Sequence, residues 1–232
     1  MDQSPPNSIQ HDFTAGAGDY ERRIRTLVPG YDTLHELSAA VLRAQLPDEA
    51  RLLCVGAGTG EELARLAAAG PRWRFTGVDP SADMLAQARA RLQQAGMLAR
   101  VELVAGEADA VPAAPPFDAA TLILVLHFLK HDAARAALLG AIAARLVPGA
   151  PLLLASLYRH GDANTLLDAW KALQVLGGLP RQAVEERMAP RLAEARPVGD
   201  DELAQLLAAA GFGPPTRYFQ GLMMAGWVAR RR

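Results

Sequence analysis

The chain has a single cysteine, Cys54, in 232 residues. No disulfide can close within it, and no cysteine-based zinc site can be built. Histidine is scarce as well, with five in all. His127 and His131 are close in sequence, but a strand–helix junction is expected between them, so they are not read as a metal pair. The chain also lacks a basic excess. Its formal net charge is −1, with 24 Lys and Arg against 25 Asp and Glu, whereas proteins that live on nucleic acid usually carry surplus cation. The terminal Arg230, Arg231 and Arg232 read as a solvated chain end. No uninterrupted apolar run approaches the roughly 20 residues that span a bilayer. The opening MDQSPPNSIQHDF has no charged-then-apolar signal plan. A cytoplasmic protein is expected, with no membrane or nucleic-acid partner. Hydrophobic residues make up 50% and charged residues 21%, which is the composition of a globular domain with a real core.

Apolar spacing and punctuation divide the chain. Residues 1–12, with Pro5 and Pro6, read as a mobile leader. Residues 13–232 read as one domain, in which 13–47 form a helical cap; a helix from about Thr33 to Gln45 is stopped by Pro47. Then strand and helix alternate. Arg51–Val55 is a strand, and EELARLAAAG is a helix ending at Gly70-Pro71. Trp73–Asp79 is a second strand, followed by a helix with Ser81 as N-cap and Gly96 as stop. Val101–Ala108 is a third strand. Phe117–Leu126 is a fourth, apolar almost throughout, as when both faces are covered. Asp132–Leu146 is a helix, and Pro148-Gly149 turns into a fifth strand, APLLLASLY. This alternation predicts an α/β, doubly wound, Rossmann-like sheet, mostly parallel. Residues 162–195 read as a helical insertion after strand 5, broken at Gly177-Gly178 and Pro190. A helix to Gly211 and an antiparallel strand pair around Gly221 close a seven-stranded sheet.

The chemistry centres on LLCVGAGTGEEL, Leu52–Leu63. Gly56, Gly58 and Gly60 (with Ala57 among them) lie where a parallel sheet binds ligands, beyond the carboxyl end of its first strand. Glycine there accepts positive φ and lets a ligand touch the backbone. The next helix turns its N-terminal dipole end to the same spot. A tight turn without a ligand also fits this loop. A dinucleotide would favour a third glycine one place later, where Glu61 stands. Asp79, before Pro80, ends the second strand; its carboxylate can accept both hydroxyls of an adenosine ribose, at about 1.5–3 kcal/mol each, or simply start a turn. Met84, one helical turn on, can pack on adenine or in the core.

In this order, Leu52–Leu63, Phe75–Leu85, Val101–Pro112 and Phe117–Ser156 resemble the class I S-adenosylmethionine-dependent methyltransferases. The resemblance implies S-adenosyl-L-methionine as cofactor and methyl transfer to an acceptor. It implies that Glu107 takes the adenine amino group and that the Ala108 N–H meets the ring edge. Family members commonly carry an acid two residues before the first glycine; Cys54 stands there, so another group must receive the cofactor's ammonium, with Glu61 or a backbone carbonyl as candidates. Cys54 itself reads as a buried strand residue.

DYERRIRTLVPGYDTL and AAGFGPPTRYFQGLMMAGWVA resemble the carboxy-S-adenosylmethionine synthases and small-molecule methyltransferases related to them. This implies that Tyr31 lies on the cofactor, where a core tyrosine is the other reading; Arg22 and Arg25 share a helix face, on which one can neutralise the cofactor's carboxylate or both can be solvated. Arg187 lies roughly where the synthases hold their added carboxylate. Ile123 stands where they carry an asparagine, which argues for plain methyl transfer to a small molecule over carboxyl transfer to the cofactor. A non-catalytic cofactor- or partner-binding module is the third reading.

Methyl transfer is an in-line displacement in which alignment can lower the barrier by about 7–11 kcal/mol, so a base is optional. His127, in VLHFL, is the candidate base, against a packing role. Tyr20, Tyr158 and His160 are candidates to line the acceptor pocket. The stripe Leu166, Leu167, Trp170, Leu173, Leu176 in the insertion reads as core or lid, or as an acceptor wall or homodimer face.

Overall fold

The computed structural model describes residues 24–232. The leader, Tyr20 and Arg22 lie outside them. Seven strands form one sheet: β1 (Arg51–Val55), β2 (Arg74–Asp79), β3 (Val101–Ala105), β4 (Ala119–Ile123), β5 (Pro151–Leu157), β6 (Thr216–Gly221) and β7 (Met224–Arg230). Their order is β3-β2-β1-β4-β5-β7-β6. The first five pair in parallel, while β7 runs antiparallel to both β5 and β6. The strand order therefore reverses between β1 and β4, which opens a crevice at their carboxyl ends.

Alternation along the strands feeds two cores. Leu53 and Val55 of β1, Ala120 and Leu122 of β4, and Leu152 and Leu154 of β5 pack on one face. Helices α4 (Asp132–Ala143) and α7 (Asp200–Ala209) cover that face with Leu139, Ile142, Leu203 and Leu207. Leu52, Cys54 and Ala119 face the other side, under α2 (Glu61–Ala69) and α3 (Ala82–Gln94). Helix α1 (Tyr31–Gln45) lies beside them with Leu42. A third cluster lies over the strand ends. There Trp170 of α5 (Ala163–Leu176) and Val184 and Met188 of α6 (Arg181–Glu194) meet Tyr31, Leu34, Ile123 and Leu157. Fully burying such a side chain contributes about 1.5–3 kcal/mol, so α5 and α6 are packed elements.

Several boundaries differ from those read in the sequence. The third strand stops at Ala105, because Gly106 turns to φ 140°. The fourth is half the expected length. Phe117 makes only an isolated bridge to Leu146, and Leu124 takes φ 62°, a left-handed conformation costly for a side chain of this size. The chain then enters a short 3₁₀ turn, Leu126–Phe128. Helix α6 runs through Pro190. Both Pro190 and Glu186, whose carbonyl would have been its partner, are exposed, so water can satisfy the group that proline leaves open.

Candidate functional site

The crevice at the strand reversal is a cavity of about 590 Å³, within the usual size for a small-molecule site. Three strand ends supply its floor: Gly56–Thr59 after β1, Asp79–Ser81 after β2, and Ile123–Val125 after β4. Helices add Tyr31 and His35 from α1, Glu61 and Glu62 from α2, and Met84 from α3; Phe128 and Leu129 close the remaining side.

The glycine loop is shaped by its own hydrogen bonds. Gly56 and Ala57 both donate N–H to the Val78 carbonyl, at 2.8 and 3.1 Å, and Gly60 donates to Ala57 at 2.9 Å. Gly58 N–H goes to Asp79 Oδ2 at 2.9 Å, while Ser81 N–H goes to Asp79 Oδ1 at 2.9 Å. Asp79 thus ties the loop after β1 to the turn after β2. The three glycines do different work. A Cβ on Gly58 would have nothing nearer than the Gly56 carbonyl, at 4.0 Å, so that position is open toward the cavity. On Gly56 it would lie 2.2 Å from Val125 Cγ2. Gly60 is outside the lining, and its Cβ would meet Ala88 at 2.9 Å; it serves the close approach of α2 to α3 rather than a ligand. Gly56→Ala must therefore destabilise the protein by about 2–5 kcal/mol, from left-handed strain plus overlap. Gly58→Ala meets strain alone and loses about 1–2 kcal/mol. Urea midpoints of the two variants test the contrast.

Two polar side chains in the lining were not singled out in the sequence. His35 is 4% and Glu62 7% exposed, and neither His35 Nε2 nor Glu62 Oε1 has a hydrogen-bond partner. Burial pushes Glu62 up to about 7, despite its place in the first turn of α2, where the helix dipole favours an anion. Burial and the Arg65 charge hold His35 down at about 4. One signal was available for His35: it stands four residues after Tyr31 on the same helix face, and the two rings meet edge-on at 4.6 Å. Glu62 carried none, because in GEEL it reads as a second solvent acid.

Other expected site residues are engaged by neighbours or lie outside the lining. Glu61 is held by Arg25, Arg65 and Arg91, at 2.8, 2.8 and 2.6 Å, so its charge is already answered. Arg25 pairs with Glu61 and Asp32 beside the Tyr31 ring, outside the cavity lining. Glu107 is exposed past the early end of β3, and Ala108 is buried in the sheet core. His127 is buried, with Nδ1 facing Ser156 Oγ at 3.3 Å and the Leu157 N–H at 3.4 Å. Burial and the Arg135 charge hold it down at about 3, and it is outside the cavity lining. Tyr158 donates its hydroxyl to Asp200 Oδ2 at 2.8 Å and meets Trp227 edge-on. His160 is exposed beside it. Trp170 is buried, its indole N–H on the Leu27 carbonyl at 2.6 Å. Arg187 is half-buried on α6. None of these four lines the cavity.

The buried histidines and Glu62 set opposite pH dependences. A histidine whose folded value is depressed stabilises above its ordinary 6.5, and that contribution is lost as pH falls toward the folded value. At pH 4.5 His35 and His127 each lose about 2–3 kcal/mol. Glu62, raised in the fold, acts the other way: its contribution is full below about 4.5 and lost as pH rises through 7. It therefore offsets roughly one histidine on acidification. Glu62→Gln removes the offset. The unliganded variant should gain about 3 kcal/mol at pH 8 and fall more steeply toward pH 4.5, as denaturant midpoints across pH would show.

Residues 52–149 match the family model described as a methyltransferase domain. No curated protein matches the sequence. Among solved structures, an O-methyltransferase family protein from Burkholderia thailandensis aligns with a TM-score of 0.69 and 18% identity over 96% of this chain and 62% of its own. The S-adenosylmethionine-dependent methyltransferase SibL aligns at 0.62 and 23%, over 94% and 60%. The 1,6-didemethyltoxoflavin-N1-methyltransferase of B. thailandensis aligns at 0.64 and 22%, over 100% and 92%. This chain spans less than two thirds of the first two structures and nearly all of the third. These likenesses show a shared fold.

Residues 52–149 thus match a methyltransferase domain, within a chain whose fold is shared with those solved structures.

Proposed function

We propose that this chain binds S-adenosyl-L-methionine as its cofactor and transfers the cofactor's methyl group to a small, largely apolar acceptor, by in-line displacement in the cavity at the strand reversal. The carrying observation is Asp79. Its carboxylate stands at the end of β2, fixed by two backbone N–H groups and facing the cavity, so it is oriented in advance for the paired hydroxyls of a ribose. Gly56, Ala57 and Gly58 leave room for the ligand to touch the backbone, and Pro80, Met84 and Tyr31 supply apolar faces for the nucleoside. The cofactor supplies an electrophilic methyl group on a sulfonium. The protein aligns the partners and excludes water.

The wall made by Ile123, Leu124, Val125, Phe128 and Leu129 supports an apolar acceptor and offers no side chain that can take a proton. The acceptor is then a weakly acidic hydroxyl or an amine whose proton passes to water. The same wall disfavours carboxyl transfer to the cofactor, because Ile123 cannot bind a carboxylate and Arg187 is outside the lining. Helices α5 and α6 pack over the Ile123 end of β4. In this reading the insertion, residues 162–195, chooses the acceptor as a packed cover.

The test is transfer of labelled methyl from S-adenosylmethionine to a panel of phenols and heteroaromatic amines. A labelled product that disappears in Asp79→Ala supports the reading. A carboxylated cofactor extracted from the purified protein, with no labelled product, would replace it by carboxyl transfer.

A further inference from the structure

A carboxyl group that is nine-tenths buried in the lining of a cavity, with one enclosed oxygen that has no hydrogen-bond partner among the described residues, needs an answer, because removing such a group from water costs more than an ordinary contact returns. Glu62 is such a group. Its surroundings show what would satisfy it. Cys54 on β1 and Tyr218 on β6 feel its charge, and the Thr121 hydroxyl on β4, in register with Cys54, lies beside the carboxyl and offsets only part of its burial. The Tyr218 hydroxyl is occupied by Ser38 Oγ at 2.6 Å. The nearby cations Arg25, Arg65 and Arg91 are engaged by Glu61, and Asp32 takes Arg25 and Arg65 as well. In the same lining, His35 has an enclosed ring nitrogen with no hydrogen-bond partner among the described residues. As a neutral imidazole it can accept at that atom.

The pair thus offers two buried acceptors, one of them able to carry a negative charge, beside the glycine loop. A ligand group with several N–H donors and a positive charge complements them. We propose that Glu62 and His35 seat the primary ammonium at the amino-acid end of the cofactor, and that Glu62 gives up its proton to solvent as the ammonium arrives. This rests on the cofactor reading above. It places the anion on the helix after the loop rather than on β1, where Cys54 stands. It also makes cofactor capture proton-linked near neutral pH: rising pH favours binding until Glu62 is fully ionised.

The experiment compares S-adenosylhomocysteine, which keeps the ammonium, with 5′-methylthioadenosine, which lacks the amino-acid end. Both are titrated calorimetrically into wild type and Glu62→Gln at pH 7, in two buffers of different ionisation heat. With Glu62 near half protonation at that pH, wild type should release about half a proton on binding S-adenosylhomocysteine and none with methylthioadenosine. Glu62→Gln should bind S-adenosylhomocysteine at least tenfold more weakly while holding methylthioadenosine within about twofold, which also reports an intact site. Equal proton release with both ligands in wild type overturns the proposal even if the variant does not fold. So does unchanged affinity of the variant for S-adenosylhomocysteine, or a loss shared equally by both nucleosides. Failure of wild type to bind either ligand overturns the cofactor reading, and this proposal with it.

Discussion

Asp79→Ala should lower affinity for S-adenosylhomocysteine about hundredfold. Two ribose hydroxyls lose a charged acceptor, at about 1.5–3 kcal/mol each, and tenfold in affinity is about 1.4 kcal/mol. A second effect adds to this. The carboxylate also holds the Gly58 and Ser81 N–H groups, so its removal frees the glycine loop from the β2 turn. Asp79→Asn separates the two. It keeps one acceptor and the side-chain shape but loses the charge, and should fall between wild type and alanine, near tenfold. Isothermal titration of the three proteins measures this directly. An Asp79→Ala protein that binds as wild type does would show that the ribose is held elsewhere.

The largest stability effect is expected at Arg135, far from any motif. Its side chain is fully buried. Its Nε donates to the Leu129 carbonyl at 2.8 Å, one terminal nitrogen to Glu202 Oε1 at 3.1 Å, and the other to the Arg196 carbonyl. One guanidinium therefore joins α4, the cavity wall at Leu129, the segment following α6, and α7. Arg135→Ala leaves two carbonyls unanswered and a void behind them. Breaking a buried charged pair costs about 3–5 kcal/mol. Glu202 keeps Arg159 and Arg196 as partners, at 2.9 and 3.0 Å, which sets the lower end. For a domain of this size the midpoint of thermal unfolding should fall by roughly 10 °C. Arg135→Lys keeps the charge but not the planar fork, and should recover less than half of the loss. Differential scanning calorimetry checks both. A shift under 2 °C for the alanine variant would mean that these elements are held together by packing alone.

The strand skeleton was legible because it rests on local chemistry. Arg51–Val55 was bounded as observed, and Ser81 caps its helix by accepting the Met84 N–H. The sequence pattern failed where a backbone turn has no composition signal. Nothing in FDAATLILVL announces that Leu124 goes left-handed, yet that turn brings Leu124, Val125 and Phe128 to the cavity and sends His127 into the core. The end of β3 was likewise placed three residues late, and Glu107 is exposed beyond it. Of the cavity lining, Gly56, Gly58 and Asp79 were legible from their places at strand ends, and Met84 from its place one helical turn on. Glu62 and His35 were not, because burial is decided by how α1 and α2 lie on the sheet, and a helix pattern with a polar residue facing inward looks like one with a misplaced surface residue. Tyr158 and Trp170 illustrate the reverse. Both stand next to the right strand ends, but Asp200 and the Leu27 carbonyl draw their polar atoms away.

A crystal structure of the protein grown with S-adenosylhomocysteine is the most direct test. The account predicts density in the cavity between β1, β2 and β4, with both ribose hydroxyls within hydrogen-bond distance of Asp79 and the thioether beside Ile123. Density at another place on the molecule, or a ribose turned away from Asp79 at saturating ligand, would contradict it.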